Sequence, residues 1–300
     1  MTRFLAIGEC MIEMAPDGAG KFVMGFAGDT FNTAWYARQV APPNVEIAYL
    51  SAVGADKPSD DMAAFMRESG IVPHLRRRAD RTVGLYLVSL ENGERTFSYW
   101  RSAAAARTLA DDLDSLPVGA GDTVFFSGIT LAILPETGRR RLLELMARVR
   151  SDGVTVAFDP NLRPRLWLGT EDMCRWITRG AAVADIALPS FEDEAAYFGD
   201  ANTDATAERY SEAGAGLVVI KDGPKPVLIR AGHARQTVAP DSVSDVVDTT
   251  AAGDSFNAAF LMALADGGSH AEAARAGCAL SARVIGRRGA LVPVQAPVRT

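Results

Sequence analysis

Asp248-Thr249-Thr250-Ala251-Ala252-Gly253-Asp254-Ser255-Phe256-Asn257 joins two different hydrophobic periodicities. Before it, Val243, Val246 and Val247 form a short β-branched, half-alternating pattern. After it, Phe256, Ala259, Phe260, Ala263 and Leu264 recur at the i, i+3, i+4 spacing of a helix face. The spacing predicts a strand-to-helix turn built from small residues. Such a turn leaves the N–H groups of the first helical turn unpaired, and the helix dipole adds partial positive charge, so it makes an anion site. Ala251, Ala252 and Gly253 have little side chain to obstruct phosphate oxygens, and Gly253 can take backbone angles closed to other residues. Asp254 then places a carboxylate beside an anion site. It has a chemical use there if it takes a proton from a hydroxyl that attacks a phosphoryl group held by the amides. The plainer alternative is that Asp254 or Ser255 caps the helix.

The composition sets the outer bounds. The chain has 300 residues, 48% hydrophobic and 23% charged, enough to bury a large core. It contains no apolar run of membrane-spanning length, and the N-terminal hydrophobic stretch breaks within a few residues, so a cytoplasmic location is expected. Cys10, Cys174 and Cys278 are far apart, which argues against a disulfide framework or a structural zinc site. His74, His233 and His270 are equally scattered. A net charge of −6 without basic runs argues against nucleic acid as a partner. Any anion recognition then falls to a few local basic groups.

Along the chain, short apolar runs alternate with amphipathic stretches. Residues 4–8, 45–54, 123–128, 154–159, 184–189 and 217–223 read as strands, and 59–69, 136–150 and 271–285 as helices. This rhythm predicts a mostly parallel sheet between helices. Residues 25–34 form a small-residue turn entering a helix, with Gly28, Asp29 and Asn32 at its start. These groups suit sugar hydroxyls, although a plain cap at Asp29 or Thr30 is the simpler reading of the segment alone. Residues 81–101 break the rhythm and read as a β-hairpin turning at Glu91-Asn92-Gly93-Glu94. With the extended stretch 9–24 the hairpin forms a small lid over a pocket. The return strand carries Arg95, Tyr99, Trp100 and Arg101, and strand alternation puts Tyr99 and Arg101 on one face with Trp100 on the other. A guanidinium there can grip a carboxylate with two hydrogen bonds, or can be a solvated edge-strand charge. Asp159, Asn161, Arg163 and Arg165 follow a strand end, where open α/β sheets bind ligands. Glu192, Asp193 and Glu194 begin a helix, where acids complement the dipole or hold a hydrated Mg²⁺. The simplest partition is one domain, 1–300, with a β lid from approximately 9–24 and 81–101.

Taken together, these segments resemble the ribokinase-like, or PfkB, family of carbohydrate kinases. The turn at 248–256 is similar to that family's C-terminal signature, whose usual core is Asp-Thr-x-Gly-Ala-Gly-Asp, with Ala251 standing where glycine is usual. That departure, together with Ile7-Gly8-Glu9-Cys10-Met11-Ile12-Glu13, Gly28-Asp29-Thr30-Phe31-Asn32, Gly93-Glu94-Arg95-Thr96-Phe97-Ser98-Tyr99-Trp100-Arg101 and Arg163-Pro164-Arg165-Leu166-Trp167, resembles the 2-dehydro-3-deoxygluconate kinase branch. The Asn-x-x-Glu element that the family keeps near Mg²⁺ is altered here to Ser190-Phe191-Glu192-Asp193.

The resemblance implies a ribokinase-like three-layer α/β sandwich with a roughly nine-stranded, mostly parallel central sheet and a small β lid that also serves dimer contacts in many relatives. It implies ATP and Mg²⁺. Asp254 would be the base, with Ala251, Ala252 and Gly253 as the anion hole. Gly28, Asp29 and Asn32 would bind the sugar, and Tyr86, Tyr99, Arg101 and Arg163 would enclose an acid sugar. Ser190, Lys221, Gly223, Gly253 and Gly277 would lie along the nucleotide, and Glu192 or Asp193 would reach the metal through water. A sugar acid gives the arginines a carboxylate to neutralise, which a neutral sugar lacks. The expected activity is therefore ATP-dependent phosphorylation of 2-dehydro-3-deoxy-D-gluconate by a homodimer or higher homo-oligomer. The alternatives are a fructokinase, ribokinase or nucleoside kinase, and a non-catalytic sugar-acid binding protein.

Overall fold

The computed structural model describes residues 2–18, 20–91 and 94–294. The elements in order are β1 (Thr2–Ile7), β2 (Met11–Pro16), β3 (Phe22–Ala27), α1 (Asp29–Val40), β4 (Val45–Gly54), α2 (Lys57–Glu68), β5 (Val72–Arg78), β6 (Leu85–Glu91) and β7 (Glu94–Trp100). There follow β8 (Thr123–Ser127), α3 (Gly128–Ile133), α4 (Glu136–Ser151), β9 (Thr155–Asp159), α5 (Thr170–Ala182), β10 (Ile186–Ala187), α6 (Phe191–Tyr197) and α7 (Thr203–Ala213). The chain continues through β11 (Leu217–Asp222), β12 (Lys225–Ala231), β13 (Ala234–Val238), α8 (Ala252–Ala265) and α9 (His270–Ile285).

Nine strands form the central sheet in the order β13-β12-β11-β10-β9-β8-β1-β4-β5. From β11 to β5 all pairings are parallel, and β12 and β13 are antiparallel at one edge. The sheet is apolar on both faces because helices cover both, which is why its strands read as continuous hydrophobic runs. Strand alternation divides each run between two cores. Phe4 and Ala6 of β1 pack with Phe31, Met62 and Phe260 on one side, and Leu5 and Ile7 pack with Leu142, Met146 and Trp176 on the other.

A second sheet, in the order β3-β2-β6-β7, forms the lid. The β6–β7 hairpin pairs Tyr86 with Tyr99 and Leu85 with Trp100. Its expected turn at Asn92-Gly93 lies outside the described residues. The lid strand runs on past the expected limit at 24 through Gly25, Phe26 and Ala27, residues read from sequence as the turn into a helix. β5 and β13 also form without a clear signal in their sequence, since their polar, edge-facing residues blur the alternation. The run 184–189 yields only a two-residue strand before Pro189.

The signature turn departs from its sequence reading in two respects. No strand forms at Val243–Val247; the segment is irregular, Val246 and Val247 are exposed, and the chain is held instead by Val247 N donating to Ile285 O at the end of α9. The left-handed residue is Ala251, with φ 60° and ψ 15°, and not Gly253, which lies inside α8. A Cβ in that region costs about 1–2 kcal/mol. Replacing Ala251 by Gly should therefore raise stability by about 1 kcal/mol in thermal or denaturant unfolding, after allowing for the extra freedom of glycine in the unfolded chain. An unchanged or lower midpoint would contradict the strain.

Candidate active site

The fold brings three carboxylates together at the carboxyl ends of the central strands, and each receives one asparagine amide. Asn32 Nδ2 donates to Asp254 Oδ2 at 2.8 Å, Asn161 Nδ2 to Asp29 Oδ2 at 3.0 Å, and Asn257 Nδ2 to Asp159 Oδ2 at 2.7 Å. The amide orientations follow from the other ends: Asn32 Oδ1 accepts from Gly28 N at 3.2 Å, and Asn257 Oδ1 accepts from Lys221 Nζ at 3.0 Å. Lys221 Nζ also stands 3.6 Å from Asp159 Oδ2. Residues far apart in sequence thus meet in one hydrogen-bonded cluster.

Backbone geometry aims these side chains. Gly28 is the N-cap of α1 and makes no side-chain cap, so neither Asp29 nor Thr30 serves as the cap considered from sequence. A Cβ on Gly28 would lie 2.1 Å from Glu9 O, so glycine alone lets α1 approach the β1–β2 connection closely enough to present Asp29 and Asn32. α8 likewise has no side-chain cap: Asp254 sits in its first turn with its carboxylate on Asn32, and Ser255 Oγ donates backwards to Ala252 O at 3.0 Å. The loop after β9 turns through left-handed Asn161 and Arg163, with φ 34° and 46°.

Burial, the neighbouring Asp29 carboxylate and, more weakly, Asp159 push Asp254 up to about 8, against the Asn32 hydrogen bond and the Arg163 charge. Asp29 is raised as well, chiefly by burial, with hydrogen bonds from Ser127, the Thr30 backbone and Asn161 opposing and the Asp159 charge adding. Asp193 of α6 is raised by burial and by Asp159 and Glu192, while Arg163 and Lys221 act the other way, so it belongs to the same electrostatic neighbourhood. Of its two neighbours in sequence, Glu192 acts on this group only through its charge on Asp193, and Glu194 lies apart. Glu192 is exposed, and Glu194 is buried in a separate knot, accepting from Arg209 Nη2 at 2.7 Å and Tyr210 Oη at 3.0 Å. Among the described residues no group of three or more His, Cys, Asp or Glu side chains is arranged as a metal cage.

The lid supplies the opposite wall. Arg101 stands 5.7 Å from the Tyr99 ring centroid, and Tyr99 feels the charges of Arg101, Arg163, Asp29 and Arg165, so the hairpin faces the cluster as alternation predicts. Trp100 is 60% exposed. The Arg101 guanidinium is not free: Nη2 donates to Glu9 Oε2, with the Glu9 side chain buried and the Arg101 side chain 10% exposed. Glu9 Oε1 and Arg101 Nε find no hydrogen-bond partner among the described residues. Glu9 is raised by burial in spite of Arg101. Sequence reading passed over Glu9 because nothing in the linear chain links it to the hairpin. Tyr86 is buried in the lid and its hydroxyl donates to Glu13 Oε2, so its ring backs Tyr99 at 5.8 Å.

On the other side of α8, a Cβ on Gly253 would lie 3.6 Å from Lys221 Nζ. Ser190 bridges Lys221 in parallel and caps α6 by position alone, without a side-chain hydrogen bond. Gly223, with φ 53°, makes the exposed β11–β12 turn. Gly277 is buried where a Cβ would meet the Phe256 ring at 2.7 Å, so the close contact of α9 with α8 accounts for it.

The raised Asp254 has a consequence for stability. Its folded value lies above the ordinary 3.8, so the native state holds the proton across the window from about 4 to about 8, and stability is lost as pH rises through that window. Asp254→Asn keeps the shape and removes the titration. Between pH 5 and 8 its melting temperature should fall less steeply than that of the unsubstituted protein and lie above it at pH 8; parallel curves would contradict the shift.

Three comparisons bear on this geometry. The model of the pfkB family carbohydrate kinases matches residues 1–297. The chain is 40% identical to the 2-dehydro-3-deoxygluconokinase of Dickeya dadantii and 38% identical to that of Escherichia coli K12, in each case over 98% of both chains. Among solved structures it is similar to a PfkB protein from Polaromonas, with a TM-score of 0.83 and 27% identity over 95% of this chain and 96% of the other. The aminoimidazole riboside kinase of Salmonella enterica, solved with aminoimidazole riboside and an ATP analog, shares the fold at a TM-score of 0.84 and 24% identity, over 97% of this chain and 95% of that one. A ribokinase-like sheet with a small lid sheet, the carboxylate-bearing α8 turn and a family match over nearly the whole length agree: the chain belongs to the pfkB family of carbohydrate kinases.

Proposed function

We propose that the protein is an ATP-dependent kinase that transfers the γ-phosphoryl group to the terminal hydroxyl of 2-dehydro-3-deoxy-D-gluconate, giving the 6-phosphate. The observation that carries the reaction type is Asp254: a carboxylate in the first turn of α8, pushed up to about 8 and hydrogen-bonded to the Asn32 amide of the α1 N-terminus. A carboxylate with that value is a far stronger base than an ordinary one and lies close to neutral pH, where proton transfer from a hydroxyl is most useful. The substrate class is supported by the identities of 40% and 38% to proteins named 2-dehydro-3-deoxygluconokinase and by the guanidinium groups of Arg101 and Arg163 around Tyr99.

In this reading Gly28, Asp29 and Asn32 hold the sugar hydroxyls, and Arg101 and Arg163 receive the carboxylate, with Tyr99 and the buried ring of Tyr86 behind it completing the wall. Asp254 accepts the proton of the attacking hydroxyl. The N–H groups of Ala251, Gly253 and Asp254 at the start of α8 face the charge that builds on the transferred group, whereas Ala252 N already donates to Thr249 O at 3.2 Å. The Lys221 ammonium, 3.6 Å from Asp159, adds a fixed positive charge on the same side. Ser190 and Gly223 border the nucleotide, and Gly277 supports that side from beneath α8. Mg²⁺ would supply charge neutralisation on the phosphates. The residues present fit an ion that keeps most of its waters, since Asp193 and Asp159 share one electrostatic neighbourhood without a protein cage; Glu192, being exposed, could contribute only through water.

The lid excludes water from the site, which limits hydrolysis of ATP. It also leaves Phe22, Val23, Met24 and Trp100 exposed, and we propose that 1–300 is one ribokinase-like domain that assembles through this surface as a homodimer or higher homo-oligomer. Among the described residues no helix is long and apolar enough to cross a membrane, and the three cysteines are unpaired, which supports action in the reducing cytoplasm.

A coupled ADP-release assay across keto-deoxy sugar acids and neutral sugars tests the reading. Turnover should be confined to the acids, and none on any keto-deoxy acid would sink it. Arg101→Ala would strand the buried Glu9 charge, so the informative variant is Arg101→Lys, which keeps the charge and removes the fork. It should raise KM for the acid by on the order of tenfold or more, the loss expected when one good charge-assisted hydrogen bond is removed. An unchanged KM would show that the guanidinium does not grip the substrate.

A further inference from the structure

Arg95 lies on the same hairpin strand as Tyr99, yet its contacts lead away from the sugar side. Its Nη1 donates to Thr250 Oγ1 at 3.1 Å and stands 3.0 Å from Asp248 Oδ2. The Asp248 side chain is 5% exposed and already engaged: Oδ1 accepts from Thr250 N at 3.0 Å and Oδ2 from Gly289 N at 2.8 Å. Burial works against its charge, yet the Gly289 and Thr250 donors and Arg95 hold the carboxyl below its ordinary value. One guanidinium from the lid is thus fastened to the carboxylate and the hydroxyl that flank the signature turn. The residue after Thr250 is the left-handed Ala251, on which α8 begins.

We propose that Arg95 is a positioning residue, a latch that couples occupation of the acid-sugar site beneath the lid to the geometry of the turn at 250–252 that aims the α8 amides. The inference rests on the functional reading above, which gives both ends of the latch their meaning. The mechanical link is a single strand. Alternation places Arg95, Phe97 and Tyr99 on one face of β7, the Phe97 and Tyr99 rings stack at 6.3 Å, and Arg101 follows at 5.7 Å from Tyr99. Among the described residues β7 pairs with β6 alone, as the outermost strand of the lid sheet, so no strand on its far side fixes its position. A ligand held by Tyr99 and Arg101 restrains β7, and β7 restrains Thr250 through Arg95.

The turn needs such a restraint. A non-glycine residue in the left-handed region keeps its angles only when its surroundings over-determine them. Asp248 supplies part of that from within the turn, and Arg95 supplies the part that depends on the lid. In-line transfer is sensitive to alignment: a misplacement of about 1 Å can cost on the order of 10²-fold in rate. Arg95 touches no reacting atom, so its removal should affect alignment more than binding.

The experiment compares Arg95→Ala and Arg95→Lys with the unsubstituted protein. It uses steady-state kinetics on 2-dehydro-3-deoxy-D-gluconate with ATP, and calorimetric binding of the same sugar acid. Arg95→Ala should lower kcat by on the order of tenfold or more while leaving the sugar-acid Kd nearly unchanged. Arg95→Lys, which returns a cation to Asp248, should recover part of the loss. Thr250→Val removes the hydroxyl acceptor from the other side, should give the same split, and serves if Arg95→Ala is insoluble. A kcat at the unsubstituted level, equal changes in kcat and Kd, or a lysine variant as impaired as the alanine variant would overturn the latch. An unsubstituted protein without turnover on any sugar acid sinks the functional reading and the latch together, whereas an active one with an unaffected variant sinks the latch alone.

Discussion

Three carboxylates gathered in one cleft repel one another, and most of what surrounds them makes that proximity tolerable. Asp29 comes from the start of α1, Asp159 from the end of β9 and Asp254 from the first turn of α8. Each takes one hydrogen bond from a different asparagine, and Lys221 joins the group through Asn257. The amides hold geometry without cancelling charge, so burial and, after it, the residual repulsion raise Asp254 and also Asp29. A buried carboxylate raised in this way is a cost to folding that the apolar cores on both faces of the sheet must offset. The same cost makes the group a base.

The fold sets up this arrangement through backbone placement. A parallel sheet delivers strand ends and helix starts to one edge, so donors and acids from distant parts of the chain meet there. Close approach does the rest: Gly28 lets α1 sit against the β1–β2 connection, and the left-handed Ala251 turns the chain into α8. The lid closes the arrangement from above with two polar fastenings, Arg101 to Glu9 on the sugar side and Arg95 to Asp248 and Thr250 on the phosphoryl side. Both lie on or just beyond one hairpin strand, which joins the two halves of the site.

Much of this could be read from the sequence, for identifiable reasons. Parallel strands covered on both faces are long apolar runs, so β1, β4, β8, β9 and β11 stand out, and the helical repeat after Asp254 is equally plain. The small residues before Asp29 and Asp254 mark helix starts, so the convergence of Asp29, Asn32 and Asp254 is legible once both helices are placed in one sheet. Val243–Val247 misled because a β-branched run makes a strand only where a partner lies alongside, and here the chain crosses the end of α9. Gly253 looked like the residue with special angles because glycine bears them most easily, but Ala251, two residues earlier, takes them. The pairings of Glu9 with Arg101 and of Arg95 with Asp248 depend on how the lid lies over the core, which no local pattern records. Gly277, expected on the nucleotide side, also leaves room for the Phe256 ring between α8 and α9, a packing constraint that the linear pattern does not record.

The central claim is that burial, reinforced by the neighbouring Asp29 carboxylate, prepares Asp254 as a base. Carbon-13 NMR titration of the protein with labelled aspartate, assigned through Asp254→Asn, measures this directly. The account predicts that Asp254 titrates near 8 and that Asp29→Asn, by removing the largest neighbouring charge, brings it down. Titration near 4 in the unsubstituted protein, or a value near 8 that Asp29→Asn leaves unmoved, would contradict it.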